Sequence, residues 1–252
     1  PTKDRSLKFV VASGITGKLH LIIYADADLD LSLEFQLANA SVLDIIYSYM
    51  SSRKRAVRAR TNHILAINST LKITTGIVHG GSLELDERFV LSGTGANLKL
   101  ELLDVASGSD KATIRQNVFH ASPETDSELD NRLIASSRAR LDYEVTGHIA
   151  KGNAKSRMVQ ENRGLLLGEK SVIQVEPKLL IDEFDVEARH GAAIGQVNEE
   201  EMFYMQSRGL SETEAKKLIV SGYVEPYLAQ IADRQLAKVL RTRIAKKIAG
   251  GK

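Results

Sequence analysis

Leu29-Asp30-Leu31-Ser32-Leu33-Glu34-Phe35 places an apolar residue at every second position. Successive side chains of an extended chain point to opposite faces, so the stretch reads as a strand with one face buried. The reading spreads outward from there. Residues 7–11 and 18–24 form apolar strands upstream. Downstream the alternation returns at Leu71-Lys72-Ile73, Leu83-Glu84-Leu85, Asn97-Leu98-Lys99-Leu100-Glu101-Leu102 and Val172-Ile173-Gln174-Val175-Glu176. Turn-forming residues punctuate most gaps: Gly14, Gly17, Asn39, Asn68, Gly80-Gly81, Gly93, Gly95, Gly108, Gly147 and Gly152. Residues 1–197 thus read as a long run of short strands without a helix. That is too much for one small sandwich and leaves a large sandwich, a barrel or a parallel β-helix. No strict sequence period decides among the three. Residues 122–134, polar and acidic with Pro123, read as a loop or wide turn.

Composition narrows the chemistry. The 252 residues contain no cysteine and no tryptophan, and aromatics are 5 %. A chain without thiols forms no disulfide and offers no thiolate to a metal or substrate. The net charge of +2 does not by itself argue for nucleic acid. The apolar run at 19–25 is far shorter than the roughly 20 residues a membrane helix needs. A soluble cytoplasmic protein is the expectation.

At Asn198 the pattern changes. Asn198 followed by Glu199-Glu200-Glu201 is an N-cap with acids at the positive end of a helix dipole. Gly209 ends that helix, and Ser211-Glu212-Thr213-Glu214 forms a capping box for a second, expected to run to about Ser221. Pro226 suits the start of a third. Leu228, Ile231, Leu236, Leu240, Ile244 and Ile248 then recur at helical spacing. The chain divides into a β core, 1–197, and a helical region, 198–252.

Four blocks carry a resemblance: Gly164-Leu165-Leu166-Leu167-Gly168; Glu176-Pro177-Lys178-Leu179-Leu180-Ile181; Asp185-Val186-Glu187-Ala188-Arg189-His190-Gly191-Ala192-Ala193-Ile194-Gly195; and Phe203-Tyr204-Met205-Gln206-Ser207-Arg208-Gly209-Leu210-Ser211-Glu212-Thr213-Glu214-Ala215. In order and spacing they resemble the C-terminal half of the SufB/SufD family of iron–sulfur cluster assembly proteins, and the His-Gly-Ala motif is SufD-like. The resemblance implies a right-handed parallel β-helix with a C-terminal helical region. It implies a scaffold, not an enzyme, that pairs through its late strands with a SufB-like partner or a second copy of itself. A SufC-type ABC ATPase would bind the helices, and sulfur-donor proteins would supply the complex. The iron–sulfur cluster would be transient in the assembled complex, with none expected on the isolated chain.

Residue by residue, His190 takes the place of the SufD-type histidine, and Gly191 follows it as in SufD. Asn162 falls near the position of the SufB cysteine and Ala188 at that of the SufD cysteine, so both family thiols are missing. Strands that begin by Leu7 leave the family's N-terminal helical region unexpected here.

An imidazole can ligate iron or shuttle protons near neutrality, whereas the plain alternative is a structural histidine at a turn made by Gly191. The resemblance tips His190 towards the functional reading. Glu187 is the neighbouring candidate ligand. On a strand, however, Asp185, Glu187 and Arg189 share one face and His190 takes the other, so joint ligation needs a bulge or turn. The remaining histidines (His20, His63, His79, His120, His148) have no metal-ligand spacing and are expected at the surface or in turns. Ser92-Gly93-Thr94-Gly95 lacks the lysine and following helix of a phosphate loop and reads as a turn. Phe203, Tyr204, Leu210 and Leu218 are the expected ATPase anchors, because two short helices cannot bury all their faces alone.

Two other classes compete. A carbohydrate-active β-helix needs aromatic platforms, which this composition supplies poorly. A nucleic-acid-binding module would use the basic clusters at Arg53-Lys54-Arg55 with Arg58 and Arg60, and at Arg234, Lys238, Arg241, Arg243, Lys246 and Lys247. No aromatic platform accompanies either cluster, so solvated faces are expected, with neither nucleic acid nor membrane as partner.

Overall fold

A computed structural model describes residues 2–51 and 54–249. The chain winds into seven coils, and each coil gives one strand to each of two parallel sheets. Sheet A holds β1 (Lys3–Val11), β3 (Leu29–Leu37), β5 (Arg55–Leu65), β7 (Gly81–Leu91), β9 (Lys111–His120), β11 (Arg140–Ile149) and β13 (Val172–Ile181). Sheet B holds β2 (Thr16–Ala25), β4 (Val42–Ser51), β6 (Thr70–Val78), β8 (Asn97–Ala106), β10 (Asp126–Ala135), β12 (Arg157–Leu166) and β14 (Glu187–Gln196). This is a parallel β-helix with three C-terminal helices: α1 (Glu199–Ser207), α2 (Glu212–Leu228) and α3 (Arg234–Ala249).

Lys3 pairs with Leu29, and Arg140 with Val172, so a coil takes between 26 and 32 residues. What repeats is the corner conformation. Gly14, Ala40, Asn68, Gly95, Glu124 and Lys155 all have positive φ, and they fall in the first six of the seven turns from sheet A to sheet B. Backbone bonds stack these corners: Gly14 N–H donates to the Asn39 carbonyl, Ala40 N–H to Ile67 and Asn68 N–H to Thr94. A left-handed residue other than glycine costs roughly 1–2 kcal/mol. Stacked corner bonds offset that cost, so Ala, Glu and Lys occupy the site beside Gly and Asn.

The inward faces form one continuous core in which Phe35, Leu65, Leu71, Ile73, Leu85, Leu100 and Leu141 are fully buried. A column of stacked rings, Phe9–Phe35–His63–Phe89, runs through it with centroids 4.6, 5.0 and 4.8 Å apart. Two histidines expected at the surface or in turns lie on strands in the interior instead: His63 and His120 are at most 1 % exposed, while His79 does sit in a turn, between β6 and β7, but is buried there. His120 is held inside by Thr125 Oγ1 at 2.7 Å and Ser127 Oγ at 2.8 Å.

Two element boundaries differ from the sequence reading. Most of 122–134 is strand β10, not loop. Its inward residues include Ser127 and Asn131, both fully buried, so polar side chains inside the helix hide the alternation. The second helix does not stop near Ser221, and Pro226 starts no third. Proline lies in the last turn of α2, where Val224, Tyr227 and Leu228 are buried and hold the helix onto the β-helix.

Helices α2 and α3 cover the outer face of sheet B. Val220, Val224, Tyr227, Leu228, Ile231, Leu240 and Ile244 pack against Met50, Val78, Leu103, Val105, Ile134 and Leu165. Tyr227 enters a notch left by Gly76, where a Cβ would lie 2.0 Å from the ring, and its hydroxyl meets Ser48 Oγ at 3.3 Å. The end of α3 is pinned by a partly buried Lys247–Asp110 ion pair and by Arg243 donating to the Ser51 carbonyl at 3.0 Å. Arg241 holds Glu225 at 2.6 Å, and Arg58 meets Glu84 at 3.3 Å. The basic clusters are thus partly spent within the fold; Arg53 lies outside the described residues.

Candidate functional site at the open end of the β-helix

Strands β13 and β14 are the last of their sheets, and each pairs on one side only. An edge strand presents unpaired backbone donors and acceptors. Leu180 and Ile194 on these strands are exposed, and Phe184 in the connection is entirely so.

His190 sits in the middle of β14, not at a turn. It is exposed and lies in register with the fully buried Gln160 of β12. Ala188, two residues earlier, packs on the interior core, so His190 belongs to the inward-facing row of the terminal coil. With no further coil over β14, that row opens outward at the end of the helix.

Glu187 lies on the opposite face. There Arg157 bridges it at 3.6 Å and Asp126 at 3.1 Å, forming a carboxylate–guanidinium–carboxylate ladder across β10, β12 and β14. The register of β14 is unbroken from Glu187 to Gln196, so no bulge brings Glu187 and His190 together. Among the described residues no three His, Asp or Glu side chains converge as a metal site. The described residues alone place no second ligand group beside His190.

Asn162 lies one coil below, fully inside, and its Nδ2 donates to the Gly191 carbonyl at 3.1 Å. Sequence reading reached Asn162 only as the place of a missing cysteine. Its contact with the residue after His190 follows from the coil register, which the sequence did not reveal.

The second feature is α1. The Asn198 side chain accepts from the Glu200 N–H at 2.8 Å, and Ser211 with Glu214 closes the capping box on α2. Gly209 links the two helices with φ +92°. No residue of α1 is buried. Phe203 is 73 % exposed, Tyr204 60 % and Leu218, on α2, 58 %, while Leu210 is half-buried in the link. Tyr204 and Leu218 share a shallow depression with Met205 and Ile219; Phe203 faces a separate one with Leu166 and Val197.

Fold and site together define the class: a parallel β-helix with an open terminal coil and a helical layer that keeps one helix uncovered. Residues 21–223 match the family model for the SUF system FeS cluster assembly, SufBD core domain, and the chain belongs to that family. Among curated relatives it is similar to the iron–sulfur cluster assembly protein SufD of Bacillus subtilis, 26 % identical over 78 % of this chain and 44 % of the relative. It is similar also to SufD of Escherichia coli, 23 % identical over 77 % of this chain and 46 % of the relative. SufB of Bacillus subtilis is 27 % identical over 56 % of this chain and 30 % of the relative. The chain therefore spans less than half the length of these relatives. Among the described residues no helix is long and apolar enough to cross a membrane.

Proposed function

We propose that this chain is a scaffold subunit of a cytoplasmic iron–sulfur cluster assembly complex and that it catalyses no reaction alone. Its open end pairs with a SufB-like chain or with a second copy of itself. There His190 contributes an imidazole to the nascent cluster or to proton movement beside it, while the thiolates and the remaining ligands come from the partner. The cluster is cargo, transient and built from sulfur brought by donor proteins. A SufC-type ABC ATPase docks on α1 and the start of α2 through Phe203, Tyr204, Leu210 and Leu218. Glu187 acts through Arg157 on the strand ladder and does not ligate.

The observation that carries this reading is His190 on an exposed edge strand, in the inward row of the last coil of a SufBD-family β-helix. The test is the cluster content of the complete complex, with ATPase and sulfur donor, for wild type, His190→Ala and Arg189→Ala. His190→Ala is expected to fold and bind the ATPase yet yield far less cluster, because alanine offers no lone pair and no titratable nitrogen. Arg189→Ala is expected to stay near wild type. Wild-type yield from His190→Ala would remove the histidine from the chemistry.

A further inference from the structure

A row of polar side chains runs through the apolar interior towards the open end. Gln116 Nε2 donates to Glu87 Oε2 at 2.9 Å. Asn131 Nδ2 donates both to Gln116 Oε1 at 2.8 Å and to Asn162 Oδ1 at 2.9 Å. Asn162 Nδ2 then donates to the Gly191 carbonyl at 3.1 Å. All four side chains are at most 1 % exposed. Glu87 pairs with Gln116 across sheet A, and Asn131 with Asn162 across sheet B, so the row crosses between sheets at the Gln116–Asn131 contact.

Such a row is costly. Each polar group withdrawn from water must find a partner, and an apolar residue of similar size would fill the position without that demand. The neighbouring inward positions show that apolar filling is normal here: Leu100 and Leu129 lie beside the row in the same sheet. The row ends on the backbone of the residue that follows His190. Strand β14 has a ladder on one side only, so a side-chain bond to its carbonyl is a second hold on an otherwise half-supported strand.

We propose that the buried row Glu87–Gln116–Asn131–Asn162 is a positioning element that clamps β14 at Gly191 and fixes where His190 stands at the open end. Its bearing on cluster assembly rests on the function proposed above; its hold on β14 does not. Asn131 is the hub, since its amide donates in both directions. Asn131→Leu cuts the row at nearly constant volume, and Asn162→Ala cuts it at the strand itself, close to the open end, where the fold has least to lose.

Hydrogen exchange in the 252-residue chain, followed by mass spectrometry, reads the clamp. Both variants are expected to speed exchange across 187–196 by about tenfold, the loss of one buried hydrogen bond, and to leave 29–37 and 55–65 unchanged. The double variant should add little, because a row cut once is already cut. In the complete complex both variants should lower cluster yield, with thermal midpoints well above the assay temperature. Unchanged exchange at 187–196, or equal acceleration everywhere, would overturn the clamp. If 187–196 loosens while cluster yield is unaffected in these variants and in His190→Ala alike, the clamp stands and the assembly reading falls. If His190→Ala loses cluster while both row variants keep it, the assembly reading stands and the positioning role falls.

Discussion

Glu87 combines a carboxyl group with a position in the centre of an apolar helix. Burial pushes its pKa up to about 7, although the Gln116 hydrogen bond pulls the other way. Its reference value is 4.5. Between those values the folded chain binds more protons at Glu87 than the unfolded chain does. Its contribution is therefore full below about pH 4.5 and is lost as the pH rises through 7. The interior histidines have the opposite sign. Burial lowers His63 to about 3 and His79 and His120 to about 4, so their contribution is full above about pH 6.5 and falls as the medium acidifies towards 4. Glu87→Gln keeps the shape and removes only the first dependence. Relative to wild type it should gain about 2–3 kcal/mol of stability between pH 5 and pH 8, at 1.36 kcal/mol per pKa unit. Urea melts of both proteins at the two pH values measure this; a difference that does not change with pH would place the charge elsewhere. At this scale the sequence was read unevenly. His190 was legible from its motif. Gln116, Asn131 and Asn162 were not, because polar residues on inward positions look like solvated ones until the coil register is known.

Among the elements, the helices divide by what they touch. Helices α2 and α3 are fixed on sheet B by apolar packing, by Tyr227 in the Gly76 notch and by the Lys247–Asp110 pair. Helix α1 buries none of its residues. An uncovered helix bearing Phe203 and Tyr204, next to Leu218, is expected to be a contact surface. Phe203→Asp combined with Leu218→Asp places two charges there without entering the core. Co-purification with a SufC-type ATPase should be abolished while the β-sheet circular dichroism is unchanged. Retained ATPase affinity would put the dock on another surface. The starts of α1 and α2 were legible because caps are local: Asn198 and the Ser211–Glu214 box each satisfy donors within one turn. The start of α3 at Arg234 was not, since Pro226 suggested an earlier one. The end of α2 was not, because tertiary burial of Tyr227 and Leu228 carries the helix past Pro226. The outward apolar residues of sheet B, such as Met50, Val105 and Ile134, were the unread sign that helices cover that face.

At the scale of the whole molecule, the run of strands was plain in the sequence, β10 excepted, and the coil was not. Coil length drifts from 26 to 32 residues, and the corner repeats in φ with Gly, Ala, Asn, Glu or Lys at the same place. A repeat conserved in conformation and not in residue type leaves no period in the letters; the family blocks supplied the architecture that periodicity withheld. The consequence for function is that a coil can satisfy itself only against its neighbours, and the last one has a neighbour on one side. The central claim, that this β-helix is completed by other chains into a cluster-building complex, is tested most directly by tagging the chain in its own cells, purifying it under native conditions and identifying what comes with it. The account predicts an ABC-type ATPase in stoichiometric amount, together with a SufB-like chain or an untagged copy of this one. Recovery of the tagged chain alone, at a concentration where the complex should persist, would contradict it.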